Sequence, residues 1–133
     1  ALDKGADEAI MMDMNGFISE GSGENVFIVK DEVVLTPTID NCLNGITRQS
    51  VIQMAKDLSI EVHEKDLRYE DLKNADEAFF TGTAVEITPI TKLDQSRIND
   101  GKRGPITKIL QDSFMNIVSG QNLKYSNWLT FTR

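Results

Sequence analysis

The sequence has little of what covalent or metal-centred sites are made from. Of its 133 residues one is cysteine (Cys42), one is histidine (His63) and three are proline. A single cysteine excludes any disulfide within the chain, and a reducing, cytoplasmic setting is the expected one. A zinc site or a Cys–His pair would require Cys42 and His63 to converge, and a small half-buried thiol with a surface imidazole is the better account. No metal site is expected. Long hydrophobic runs are lacking too. Val26 to Val29, Val33 to Leu35 and Ala78 to Phe80 fall far short of the roughly 20 residues that cross a bilayer, and no signal-peptide pattern opens the chain. No membrane partner is expected. Positive charge is also scarce: 14 Lys and Arg against 21 Asp and Glu give a net charge of -7. Phosphate-backbone contacts need clustered basic residues, so nucleic acid is not an expected partner.

What is present suits one mixed domain over residues 1–133, with 40% hydrophobic residues to build a core. Ala9 to Asp13 and Phe17 to Ser19 read as strands around Asn15-Gly16, a pair suited to a type I′ turn. Asp13, Asn15 and Gly16 resemble the start of a calcium loop, but the glycine is too early and Asn25 stands where a later acid belongs. Asn25 to Lys30 and Val33 to Thr36 form a second hairpin joined at Asp31-Glu32, ended by Pro37. Helical spacing over Thr47 to Leu58 puts Val51, Ile52, Ala55 and Leu58 on one face. A strand at Ile60 to His63 and a short helix at Tyr69 to Asn74 follow. Glu77 to Thr81 and Val85 to Ile90 read as strands interrupted at Gly82, and Gln95 to Gly104 as a polar turn. A last helix opens on Pro105, with Ile106, Ile109, Leu110, Phe114 and Ile117 as its buried stripe and Gly120 closing it. Tyr125 and Trp128 are candidate docking aromatics. The fold class is α+β or α/β, a mixed sheet of hairpins with packed helices.

Three segments carry possible chemistry. Ser19-Glu20-Gly21-Ser22-Gly23-Glu24-Asn25 holds two carboxylates among glycines, which disfavour a helix and let backbone approach a ligand. Leu43-Asn44-Gly45-Ile46-Thr47-Arg48 precedes an amphipathic helix, whose start suits a phosphate. Thr81-Gly82-Thr83-Ala84 offers amides and hydroxyls to an anion. Taken singly, a solvated bend, an ordinary Thr47 N-cap and a β-bulge explain them better. Together they supply an acid, a helix-start cradle and a Gly-Thr clip, the set that pyridoxal phosphate requires.

At these residues the sequence resembles the branched-chain amino acid aminotransferases among the fold type IV pyridoxal-phosphate enzymes. The matching runs are Glu20-Gly-Ser-Gly-Glu-Asn25, Leu43-Asn-Gly-Ile-Thr-Arg48, Phe80-Thr-Gly-Thr-Ala84 with Glu86-Ile-Thr-Pro89, and Gly101-Lys-Arg-Gly-Pro105, in the family's order. The resemblance implies the large C-terminal, cofactor-binding domain of that family. It implies that Glu20 pairs with the pyridine nitrogen, that Leu43 packs on a ring face, and that Gly45, Ile46, Thr47, Gly82 and Thr83 surround the phosphate. Thr83 and Ala84 would offer amides to the substrate carboxylate, with Glu24 and Arg48 in support. The family's Schiff-base lysine lies on a segment upstream of Ala1. Lys4 is therefore expected to be a surface residue, no catalytic residue is expected in the chain, and alone it is expected to be inactive. The parent enzyme is expected to be a homodimer that exchanges an amino group between branched-chain L-amino acids and 2-oxoglutarate. Rivals on the same fold are D-amino acid aminotransferase and aminodeoxychorismate lyase. A rival of another class is a non-catalytic domain for phosphorylated ligands or oligomerisation, which would have no use for an acid at Glu20.

Overall fold

The run Asn-Val-Phe-Ile-Val from Asn25 is buried on both faces of the chain, the pattern of a strand at the middle of a covered sheet. A computed structural model describes residues 2–130, except the side chain of Lys4, so the expected surface position of that side chain lies outside the described residues. In chain order its strands are β1 (Ile10–Met12), β2 (Ile18–Gly21), β3 (Asn25–Lys30), β4 (Val33–Thr36), β5 (Val62–Glu64), β6 (Glu77–Gly82), β7 (Glu86–Pro89), β8 (Lys92–Leu93) and β9 (Ser96–Arg97). The helices are α1 (Ile46–Asp57), α2 (Tyr69–Lys73) and α3 (Pro105–Val118). The central sheet runs β5-β4-β3-β6-β7. Its pairs are antiparallel except β4–β5, which is parallel because α1 carries the chain back across the sheet between them. The expected mixed sheet with packed helices is therefore found.

Strand alternation divides the apolar residues between two cores. Phe27, Val29 and Phe79 face Val51, Met54 and Ala55 of α1 and Leu110 and Ile117 of α3. Val26, Ile28, Ala78 and Phe80 face Ile18, Leu67, Leu72 and Ile98 on the other side. The Phe27 and Phe79 rings stack with centroids 5.1 Å apart, and truncating either to alanine should cost about 3–5 kcal/mol.

Several local expectations are corrected. Of Asn15-Gly16 only the glycine has a positive φ, at 79°. Asp13 N–H donates to Phe17 O, and the Asp13 carboxylate accepts from the amides of Asn15 and Phe17. The turn is thus a longer loop ordered by an acid, not type I′. The two-residue turn with both residues at positive φ is Asp31-Glu32, at 48° and 65°, steadied by Asp31 N–H donating to Asp76. Leu58 is 44% and Ile109 48% exposed. Leu58 is the residue that ends α1 rather than part of its inner face, and α3 buries Thr107 alongside Leu110 and Ile117. The strand expected from Ile60 begins at Val62, after Ser59 takes a left-handed φ of 59°. The polar stretch from Gln95 includes the short β9, paired with β8. Tyr125 does dock: it is buried, donates to Asp57 at 2.6 Å, and lies 4.5 Å from the Trp128 ring.

Candidate functional site

The acid end is built by the bend between β2 and β3. Gly21 N–H donates to Glu24 O at 2.7 Å, and a Cβ on Gly21 would overlap the Glu24 carboxylate and meet the Phe80 ring at 3.1 Å. Only glycine lets the chain fold so tightly on itself here. Ser22 hydroxyl donates to Glu8 at 2.7 Å. The Ala9 amide, and then the Ser22 hydroxyl, hold the Glu8 carboxyl below the usual carboxylate range. Glu20, half-buried, accepts at Oε2 from Leu43 N–H (3.0 Å) and Asn25 Nδ2 (3.3 Å). Its Oε1 has no hydrogen-bond partner among the described residues. One oxygen anchors the side chain, and the other is unspent.

The anion end is the start of α1. The helix begins at Ile46, one residue earlier than expected, so Thr47 is its second residue and not its cap. Gly45 is the cap. It has extended backbone, offers no side-chain acceptor, and is followed by no acid in the first turn. The first amides are left without a capping side chain, at the positive end of the dipole. A Cβ on Gly45 would overlap Asn25 Oδ1, so the glycine is imposed by what lies beside it. The approach loop is pinned from below by Arg48, only 1% exposed. Its guanidinium donates to Asn44 Oδ1 (3.2 Å), Pro37 O (2.9 Å) and Glu64 Oε2 (2.6 Å). Ser19 hydroxyl ties the same loop to β2 through Asn41 O.

The third segment does not break a strand. Gly82 is the last residue of β6 and pairs with Glu86, leaving Thr83, Ala84 and Val85 as the hairpin loop. A Cβ on Gly82 would press on Gly23 O and on Val85, each at 3.3 Å. The glycine therefore brings this loop against the β2–β3 bend, which corrects the β-bulge account.

These three segments line one cleft of about 360 Å³. Glu20 and Leu43 are in its wall, as are Gly45, Ile46 and Thr47 from the α1 start and Gly82 and Thr83 from the hairpin. Ala84 shares the hairpin loop but is not among the lining residues. Leu43 is 72% and Ile46 81% exposed, whereas Thr47 is 8% exposed. Sequence reasoning named no separate role for Asn25, which also lines the cleft, as does Thr81, one of the two threonines whose hydroxyls the sequence offered to an anion. Thr81 Oγ1 is buried with no hydrogen-bond partner among the described residues, and Asn25 is 5% exposed. Their register partnership across β3 and β6 follows from strand pairing, which no local pattern discloses. A second hollow, of about 420 Å³, is lined by Leu2, Asp3, Asp7, Glu8, Ala9 and Ser22. Among the described residues it offers no basic group, and its acidic wall is the wrong chemistry for an anion. No cluster of metal-ligating side chains occurs among the described residues, and none of their helices is long and apolar enough to cross a membrane.

Residues 1–93 match the amino-transferase class IV family. The chain is 45% identical over 133 residues to the branched-chain-amino-acid aminotransferase of Pseudomonas aeruginosa, covering 100% of this chain and 43% of that protein. It is 46% identical over 126 residues to the branched-chain-amino-acid aminotransferase of Escherichia coli (strain K12), covering 94% of this chain and 41% of the relative. It superposes with a TM-score of 0.94 and 49% identity on the branched-chain aminotransferase from the thermophilic archaeon Thermoproteus uzoniensis with norvaline, covering 98% of this chain and 43% of that one. The chain thus spans a little under half the length of the relatives it matches.

Proposed function

Because the chain belongs to the amino-transferase class IV family, we propose that it is the cofactor-binding part of a pyridoxal-phosphate-dependent branched-chain amino acid aminotransferase. The observation that carries this reading is the meeting of Glu20, the uncapped α1 start and the Gly82–Thr83 hairpin around one cleft. The residues present fit the group. A phosphate finds free amides and a helix dipole at Ile46 and Thr47, beside the unspent Thr81 hydroxyl. An N–H on an aromatic nitrogen finds the unspent Glu20 Oε1. A flat ring would cover the exposed Leu43 side chain.

When bound, pyridoxal phosphate supplies a carbonyl that carries the amino group and a ring that takes up electrons. The chain's own residues do the rest. The Glu20 carboxylate holds a proton at the pyridine nitrogen, and its anchored Oε2 keeps the other oxygen from swinging away. Ile46 and Thr47 bind the phosphate by backbone N–H and hydroxyl. Thr83 closes the anion site from the β6–β7 hairpin, and Thr83 and Ala84 present amides to the substrate carboxylate. Substrates are branched-chain L-amino acids and 2-oxoglutarate, handled by a homodimer of full-length chains in the cytoplasm.

The test uses an enzyme of the relatives' full length that carries this segment. Turnover with L-leucine, L-isoleucine or L-valine and 2-oxoglutarate is expected, with little on D-alanine or aminodeoxychorismate. Glu20→Gln should retain cofactor and lose at least about 100-fold in kcat, or roughly 2.7 kcal/mol of transition-state stabilisation. Near-normal turnover by that variant would remove Glu20 from its role, and a preference for D-amino acids would move the enzyme to a sister activity.

A further inference from the structure

A side-chain amide ties the acid end of the cleft to the loop that leads into its anion end. Asn25 opens β3, where its backbone is fixed in register with Thr81 of β6 at the middle of the sheet. Its Nδ2 donates to Leu43 O at 2.8 Å and to Glu20 Oε2 at 3.3 Å, while its Oδ1 lies where a Cβ on Gly45 would sit. Leu43 in turn donates its own N–H to Glu20 Oε2. The carboxylate at the acid end and the loop that leads into the anion end are thus both held by this group.

We propose that Asn25 is a positioning residue that sets the alignment of the Glu20 carboxylate with the α1 anion cradle, and hence of the cofactor ring with its phosphate. The inference rests on the function proposed above and deepens it. Between a carbonyl and a carboxylate oxygen, both acceptors, only a donor fits, and this also fixes which way the amide faces. An aspartate has the same shape but would set acceptor against acceptor twice. A glutamine is one methylene longer, and Oδ1 already abuts Gly45. A serine is too short to reach both partners. Asn25 touches neither the acid's free oxygen nor the first helical amides, so its effect passes through Glu20 and Leu43.

The decisive variant is Asn25→Asp in the full-length enzyme, since it keeps volume and removes the donor. Two quantities are read: the cofactor dissociation constant, from titration of the apoenzyme with pyridoxal phosphate followed by absorbance, and kcat. Loss of hydrogen bonds to a charged group and a partly buried carbonyl should weaken cofactor binding about 10-fold and lower kcat about 10-fold. In a Glu20→Gln background the kcat penalty should vanish while the affinity penalty stays, because only the former runs through Glu20. If Asn25→Asp binds cofactor and turns over like the parent, Asn25 only fills space and the inference fails. It fails equally if the kcat loss multiplies undiminished onto Glu20→Gln. Should Asn25→Asp not fold, Asn25→Ser carries the same cycle and is held to the same outcomes. If Glu20→Gln and Thr47→Val leave both quantities unchanged, the underlying function fails and this inference falls with it. If those variants act and the Asn25 variants do not, only the present inference falls.

Discussion

Helices α1 and α3 begin alike and are finished in opposite ways. Each has an extended glycine as its cap, Gly45 and Gly104, with no acid in its first turn. At α3 the missing acceptor is supplied from the sheet: the Glu77 carboxylate, 6% exposed, accepts from Ile106 N–H (2.9 Å) and Thr107 N–H (2.7 Å). A Cβ on Gly104 would overlap that carboxylate, so the glycine exists to admit it. At α1 no acid arrives. The nearby Glu20 is turned to Leu43 N–H instead, and Gly45 abuts Asn25. The start of α3 is closed by the protein's own anion, whereas the start of α1 is where the proposed function would seat the cofactor phosphate.

The largest effect that would sharpen this contrast is at the closed end. Glu77→Ala strips one buried and one partly buried amide of a charged acceptor and should cost about 3 kcal/mol of stability in urea unfolding. A loss under about 1 kcal/mol would mean that α3 has no need of its plug. At the open end, Ile46→Asp places an acid in the first turn of α1 at a side chain that is 81% exposed. Phosphate or cofactor affinity should fall about 10-fold through charge repulsion, while stability rises by roughly 0.5 kcal/mol through the dipole. If affinity holds, the open start is not the anion site. Thr47→Val should then weaken cofactor binding about 5-fold and leave urea stability near that of the parent, since its hydroxyl has no hydrogen-bond partner among the described residues to lose. Destabilisation with unchanged affinity would make Thr47 a structural residue and cancel the difference between the two helices.

The smallest expected effect is at the other end of α1, where Tyr125 donates to Asp57. Burial first, and then this bond, push the Tyr125 hydroxyl up from 10.0 to about 12. In the unfolded chain the phenol ionises at its ordinary value, so stability should fall as pH rises from about 10 to about 12. The Tyr125 hydroxyl and then Lys124 hold the Asp57 carboxyl below its usual value. That contribution is present above the ordinary carboxylate pKa and is lost as pH falls through the lowered one. Tyr125→Phe should flatten both limbs of a stability–pH profile, and unchanged slopes would detach the pair from folding.

Local patterning was enough for much of the fold. The β3–β4 hairpin has the limits expected from its β-branched runs and Pro37, and α3 starts at Pro105 as its ring geometry favours. Patterning failed where partners decide. Leu58 and Ile109 carry helical periodicity, but whether a side chain on a stripe is covered depends on what packs there. Asn15-Gly16 lacks the expected type I′ turn because the Asp13 carboxylate captures amides in its own loop. The motif residues of the candidate site were visible only in combination, since each segment taken singly fits a simple element.

The sequence by itself therefore supplied the residue types that a cofactor site would use: the acid in the glycine-rich bend, the glycine before α1 and the Gly-Thr pair, each of which taken singly has an ordinary structural explanation. Tertiary structure alone decided what those residues face. That Thr47 and Thr83 share a cleft, that Asn25 bridges Glu20 and Leu43, and that Glu77 closes α3 while nothing closes α1 all depend on contacts between segments far apart in the chain. The reason is physical. A hydrogen-bond donor or acceptor is specified by its residue, but whether it is spent depends on the partner that sheet pairing and core packing bring within about 3 Å.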